Sequence, residues 1–216
     1  MDSPQLLEQV SILIAIWVAI YGIDAWRREH VGKRQIELAE DTLAMFYEAV
    51  DVIRMMRHPV SVSSETEEIK RVEGESEAQF EARKNASVVF HRYNKNQELF
   101  NKIHASRYRF MAQIGKTEAE PFNELHGIVN RIIVSARMLA RLWPRDHFRT
   151  EAQWEEHRAR IEKHEAVFWE GLEEDDPINP KLDELIESIE AVCQPVISGK
   201  GSLFGFLNLR IGPKKS

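Results

Sequence analysis

Near the N-terminus, residues 10–23 read VSILIAIWVAIYGI, an apolar run in a chain that is otherwise strongly polar. A bilayer core about 30 Å thick needs roughly 20 helical residues to cross it. Leu6 and Leu7 extend the run upstream, and Ala25 and Trp26 extend it downstream. We therefore predict a single transmembrane anchor within residues 1–26. The side chains expected to contact lipid are Val10, Ile12, Leu13, Ile14, Ile16, Trp17, Val18, Ile20, Tyr21, Ile23 and Trp26.

Two alternatives compete with a membrane span. A secretory signal peptide has positive charge before its apolar run and small residues at a cleavage site after it. Here the upstream flank carries Asp2 and Glu8 without Lys or Arg, and the run ends in Tyr-Gly-Ile-Asp, which is a poor cleavage site. The second alternative is a helix buried in the core of a soluble protein, which a run of this length also permits.

The charges that follow the run predict its orientation. Arg27, Arg28, Lys33 and Arg34 lie just downstream, opposed only by Glu29. Lys and Arg close to a span stay on the cytoplasmic side of the membrane. We therefore expect the N-terminus outside the cell and the rest of the chain in the cytoplasm, attached to the inner (plasma) membrane.

The segment WRREHVGKRQIELAEDTLAMFYEA, residues 26–49, resembles the juxtamembrane part of uncharacterised short bacterial proteins that have one N-terminal transmembrane helix. It covers about a tenth of the chain. The resemblance implies anchoring in a bacterial inner membrane and implies no activity.

Composition narrows the classes of function open to the chain beyond the predicted anchor. The 29 basic and 35 acidic residues give a net charge of -6, which argues against a general nucleic-acid binder with a basic face. Cys193 is the only cysteine, so no intrachain disulfide is possible. Apolar residues recur in steps of three and four over most of residues 27–198, as in helical bundles. The predicted fold class is all-α: the anchor continues into an antiparallel bundle of about four to five helices.

The boundaries of these helices follow from local signals. Pro59 ends the first helix, because the residue before a proline avoids the α region, and the polar residues 58–76 form a flexible loop. Thr117 and Glu120 predict a capping box that opens the third helix. The other predicted helices span about Glu77–Ile114, Glu151–Leu172 and Lys181–Ile197. Seam positions of the second helix include two polar residues, Asn96 and Arg107, which more often set register or lie half-exposed than catalyse.

Few side chains suggest a catalytic or metal-binding role. His157 and His164 share one face of the fourth helix and are the candidate metal ligands, but seven residues separate them by about 10 Å, too far to share an ion. Asp146 and His147 adjoin in a loop, where an Asp–His pair could orient a base. Neither pair is supported by a recognised motif, and a surface position is the simpler interpretation, so no catalytic residue and no cofactor is predicted.

The leading hypothesis is a non-enzymatic interaction or scaffold module held at the membrane, with lipid and an unidentified protein as partners. The alternatives are an enzyme or metal-binding protein whose site is assembled between helices, and a membrane-linked sensor or effector. Ser11, Ala15 and Ala19 recur every four residues, a pattern through which spans can pair in lipid. The apolar and basic tail, residues 199–216, is predicted to fold back on the bundle through Leu203–Ile211, with docking on anionic lipid as the alternative.

Overall fold

The computed structural model describes residues 3–144, 148, 150–171 and 175–199, with side chains from residue 11 onward except at residue 24. This part of the chain is helical and contains no strand, which confirms the predicted all-α class. Asp146, His147 and the tail segment Leu203–Ile211 lie outside the described residues.

Six α-helices account for most of the described chain, one more than the largest number predicted. They are α1 (Ser3–Arg57), α2 (Glu77–Lys95), α3 (Gln97–Gln113), α4 (Glu120–Leu142), α5 (Glu151–Phe168) and α6 (Asn179–Ile197). Two short 3₁₀ helices, Ser63–Glu65 and Thr117–Ala119, lie in the connections. Helix α1 ends two residues before Pro59, as the sequence predicts.

The chain divides into two compact units. Among the described residues, one comprises those from Ser3 to Asp41 together with Gln194–Gly199, and the other lies within Thr42–Cys193. In the described residues, no helix contains an apolar stretch of sufficient length to cross a membrane.

Helix α4 is the centre of the larger unit. It packs against α2, α3 and α5. Its apolar residues from Phe122 to Leu139 that recur in steps of three and four are buried. Phe122 meets two other rings, Phe46 of α1 at 5.0 Å and Phe110 of α3 at 5.2 Å between centroids. The heptad-like spacing therefore identifies the core side of α4 correctly.

The prediction of one helix over Glu77–Ile114 is wrong, because the helix breaks at Asn96. The side-chain amide of Asn96 donates to the carbonyl of Arg92 at 2.8 Å. The backbone N–H of Asn96 turns instead to the carbonyl of Tyr93 at 3.0 Å, in the tighter 3₁₀ pattern. An asparagine that bonds to the preceding turn competes with the helical ladder, and here it separates α2 from α3.

The predicted capping box at Thr117 is also wrong. Thr117 begins a 3₁₀ helix rather than capping α4, and the N-cap of α4 is Ala119, whose side chain makes no capping bond. Pro121 does lie in the first turn, as expected of a residue that lacks an N–H.

Two buried arginines satisfy carbonyl groups at the C-terminal ends of α1 and α5. Arg92 donates to the carbonyls of Met55 at 2.9 Å and His58 at 2.7 Å, and forms an ion pair with Glu65 at 2.6 Å. The hydrogen bond from Arg92 holds the pKa of Glu65 below its ordinary value. Arg57, the last residue of α1, is 0 % exposed and donates to the carbonyls of Ala166 and Val167. The last turn of a helix leaves carbonyl groups without intrahelical partners. Arg92 supplies donors to those at the end of α1, and Arg57 supplies donors to those at the end of α5.

Candidate functional site

The structure does not bring together the two histidines predicted as possible metal ligands. The ring of His157 is partly exposed, and its Nδ1 donates to the carbonyl of Gln153 at 2.8 Å. His164 instead contacts Ser135 of α4. Within the described residues, no group of three or more His, Cys, Asp or Glu side chains is arranged to hold a metal ion.

The Ser135–His164 contact resembles part of a nucleophile–base pair, with Oγ and Nδ1 3.2 Å apart. Ser135 is only 3 % exposed, so a substrate has no path to its hydroxyl. Burial, assisted by Arg160 and Lys163, lowers the pKa of His164. This histidine is therefore neutral at pH 7, and the pair stabilises the packing of α5 on α4.

Cys193 is a second potentially reactive side chain that is shielded. It is 0 % exposed on α6, and burial raises the pKa of its thiol to about 11. A thiol that stays protonated and inaccessible is a poor nucleophile. The burial of Cys193 on α6 therefore indicates a structural role.

The clearest binding geometry is an open cleft of about 320 Å³ formed by α3 and α4, with Tyr93 at the end of α2. Its floor is apolar and buried, its wall is aromatic, and its rim is polar. The floor residues are Ile103, Phe122, Leu125 and Val129, the wall residues are Tyr93 and Phe100, and the polar residues are Asn101, His104, Arg107, Asn123 and His126. Such a combination of apolar surface with a few polar groups is typical of small-molecule sites. We call it the α3–α4 cleft.

Arg107 is the unusual residue of this cleft. Its Nε is buried and has no hydrogen-bond partner among the described residues. By contrast, all three guanidinium nitrogens of Arg57 and of Arg92 are hydrogen-bonded. A buried charged donor without a partner costs more than the ~1–3 kcal/mol typical of neutral groups. Arg107 is thus poised to bind an acceptor.

Sequence reasoning identified Arg107 only as a polar seam residue and did not single out His104 or His126. The signal available was spacing: Phe100, His104 and Arg107 fall at intervals of four and three, and so share one face of α3. His126 follows Asn123 by three residues on α4. Nothing in the sequence pairs these two faces, because the pairing depends on how α3 packs against α4.

A different surface feature belongs to α1. Every residue from Ser11 to Ile23 is exposed, so the described residues cover this apolar segment of the helix on no side. The exposed fraction of its large apolar side chains runs from 51 % at Ile16 to 66 % at Leu13. Trp17 and Tyr21 stack on each other with ring centroids 5.6 Å apart. An isolated exposed apolar residue needs no explanation, but a continuous apolar patch indicates an interaction surface.

No family model, no curated protein and no solved structure matches this chain.

Proposed function

We propose that this chain is a single-pass membrane-anchored protein whose helical bundle is a non-enzymatic interaction or scaffold module on the cytoplasmic side. The observation that carries the proposal is the all-round exposure of Ser11–Ile23. Each large apolar side chain left in water forgoes about 1.5–3 kcal/mol of burial. A lipid bilayer would cover all sides of the segment at once, and a helix already satisfies its own backbone hydrogen bonds there.

The flanks support the same arrangement. In the sequence, Leu6 and Leu7 extend the apolar segment upstream, toward the roughly 20 residues that a bilayer requires. Tyr21 and Trp26 lie at the downstream end, where aromatic rings favour the headgroup region. The basic residues Arg27, Arg28, Lys33 and Arg34 are all exposed on α1, as the cytoplasmic flank of a span would be.

A binding role is favoured over catalysis because Ser135 and Cys193, two potentially nucleophilic side chains among the described residues, are shielded. Ser135 and Cys193 are buried, and His164 is held neutral. The Arg57 and Arg92 networks close the end of α1 with hydrogen bonds, which gives the bundle a well-defined surface. A fixed helical surface at a membrane is suited to hold a protein partner there.

The anchor is tested by alkaline extraction of membranes from cells that express the full chain. We expect wild type to stay in the membrane pellet. Ile16→Arg combined with Ile20→Arg should release the protein or abolish its insertion, since each central Arg costs about 3 kcal/mol. Val31→Arg is the matched control: Val31 is also an exposed apolar residue of α1, but it lies beyond the run, so this variant should behave as wild type. Wild-type protein in the alkaline supernatant would refute the anchor.

The interaction role is tested separately by crosslinking in cells, followed by affinity purification of the detergent-extracted chain. We expect a crosslinked protein partner that is recovered with wild type and with Val31→Arg. The Ile16→Arg/Ile20→Arg variant should lose that partner, because the bundle no longer reaches the membrane. Recovery of wild type without any crosslinked partner would count against a scaffold role.

A further inference from the structure

The α3–α4 cleft has the size and the lining of a site for one small organic molecule. Its volume, about 320 Å³, lies at the lower end of the range for ligand-binding clefts. Tyr93 and Phe100 form its wall as a stacked pair, with centroids 5.2 Å apart and planes inclined by 25°. Buried Ile103, Phe122 and Leu125 supply an apolar floor. A flat aromatic or apolar group would bury its surface against this wall and floor.

The charge of the lining indicates an anion. None of the described residues that line the cleft is Asp or Glu, although acidic residues outnumber basic ones in the chain by 35 to 29. The lining contributes the guanidinium of Arg107 and the imidazoles of His104 and His126. The amide of Asn123 already donates to Glu120 at 3.0 Å, which leaves Arg107, the two imidazoles and the amide of Asn101 as donors for a ligand.

Arg107 adds an independent observation. Its Nε is buried without a hydrogen-bond partner, and Arg107 forms no ion pair in the described part of the chain. Guanidinium groups bind carboxylates and phosphates through parallel N–H donors, with a geometry that a lysine cannot reproduce. A cationic donor is therefore present in the cleft and has no acceptor from the described residues.

We propose that the α3–α4 cleft binds a small organic oxyanion, with a carboxylate or phosphate group at Arg107 and an aromatic or planar apolar group against Tyr93 and Phe100. His104 and His126 at the rim supply further donors to the same anionic group. The proposal concerns a site within the larger unit and does not depend on the membrane anchor, so either can fail without the other.

The test is titration calorimetry on the full chain in detergent micelles with defined probes. Phenyl phosphate and benzoate carry the proposed chemistry and distinguish phosphate from carboxylate. Benzyl alcohol lacks the anion, and inorganic phosphate lacks the ring. We expect saturable binding of at least one of the two aromatic anions. Benzyl alcohol and inorganic phosphate should each bind with at least tenfold lower affinity. Equal binding of benzyl alcohol would overturn the anionic part of the proposal, and equal binding of inorganic phosphate would overturn the aromatic part.

Variants then assign the binding to the cleft. Arg107→Gln should lower the affinity for the aromatic anion at least tenfold. Arg109→Gln removes an exposed charge from the same helix and should leave the affinity unchanged. Because Arg107 Nε has no partner to lose, circular dichroism should show that Arg107→Gln is folded. His126→Ala alters an exposed rim residue and provides a second variant, expected to weaken binding at least threefold. Binding of neither aromatic anion, or wild-type affinity in both Arg107→Gln and His126→Ala, would refute the proposal.

Discussion

The guanidinium of Arg57 donates to Oδ2 of Asp176 at 2.8 Å, while Oδ1 of the same carboxylate accepts the backbone N–H groups of Ile178 and Asn179. One carboxylate thus pairs with the buried end of α1 and caps the start of α6. Burial acts to raise the pKa of Asp176, but the hydrogen bonds from Arg57 and the two amides bring it below its ordinary value. The ion pair therefore persists in mildly acidic solution.

Breaking this pair should destabilise the bundle strongly. Arg57→Ala leaves Asp176 and three carbonyl groups without the guanidinium that donates to them. Removing one partner of a buried ion pair costs about 3–5 kcal/mol. The free energy of unfolding, measured by urea titration of the full chain in detergent, should fall by that amount. Arg54→Ala is the matched control, because Arg54 pairs with Asp183 at the exposed surface, where pairs contribute about 0–1 kcal/mol. Equal losses in both variants would contradict this role of Arg57.

His164 should make the fold sensitive to mild acid. Its pKa is lowered in the folded state, so the unfolded chain binds the proton more readily. Stability is then complete above the ordinary histidine pKa of about 6.5 and declines as the pH falls below it. The melting temperature should drop between pH 7 and pH 5, and His164→Gln should reduce that drop. An identical pH profile in wild type and His164→Gln would show that the histidine is not responsible.

Cys193 should be unreactive in the folded chain. With a thiol pKa of about 11 and no exposure, its modification requires unfolding of the surrounding helices. Ellman's reagent at pH 8 should label it at least a hundredfold more slowly without denaturant than in urea. As a control, Arg109→Cys places an accessible thiol on α3, which should react at once. Rapid labelling of native wild type would place Cys193 at the surface.

The proposed topology predicts the behaviour of reporter fusions. Alkaline phosphatase fused at the C-terminus should be inactive in bacteria, because it folds only after export, whereas a fluorescent protein that folds in the cytoplasm should be bright. Replacing Arg27, Arg28, Lys33 and Arg34 with Gln removes the positive charge that keeps this flank in the cytoplasm. This change should raise the phosphatase activity several-fold. High phosphatase activity in the unmodified fusion would show that the C-terminus lies outside the cytoplasm and would contradict the proposed topology.

Pairing of two anchors is expected to depend on Ser11, Ala15 and Ala19, which allow close approach of helices in lipid. Ala15→Leu combined with Ala19→Leu should reduce dimer formation several-fold in a membrane two-hybrid assay. Ile16→Leu combined with Ile20→Leu keeps side-chain volume on another face and serves as the control. If the Ala15→Leu/Ala19→Leu variant associates as well as this control, Ser11, Ala15 and Ala19 have no role in pairing.

The sequence predicts those parts of the fold that depend on local pattern. In α1, the apolar residues that recur in steps of three and four from Ala39 to Ile53 are buried, as this spacing indicates. The helix also ends before Pro59, as predicted. The break at Asn96 is missed because the apolar steps continue through it from α2 into α3. Only the side-chain bond from Asn96 to Arg92 distinguishes it from an ordinary seam position.

The buried arginines and the α3–α4 cleft could not be predicted in the same way. Arg57 is a polar residue close to a proline, and its burial depends on carbonyl groups 109 and 110 residues further along the chain. The cleft forms where α3 and α4 pack together, so no single helix contains its pattern. Both are consequences of tertiary packing, which periodicity along one segment does not encode.

The distance in sequence between Arg57 and its partners has a consequence for how the chain is made. The carbonyl of Val167 lies 110 residues after Arg57, and the Asp176 carboxylate lies 119 residues after it. At translation rates of about 5–20 residues per second, Arg57 is synthesised roughly 6–22 s before Val167. During that interval the C-terminal end of α1 carries a hydrated cation next to the apolar Ile53 and Met56. The nascent chain therefore exposes the apolar and positively charged end of α1 to solvent until α5 and α6 emerge.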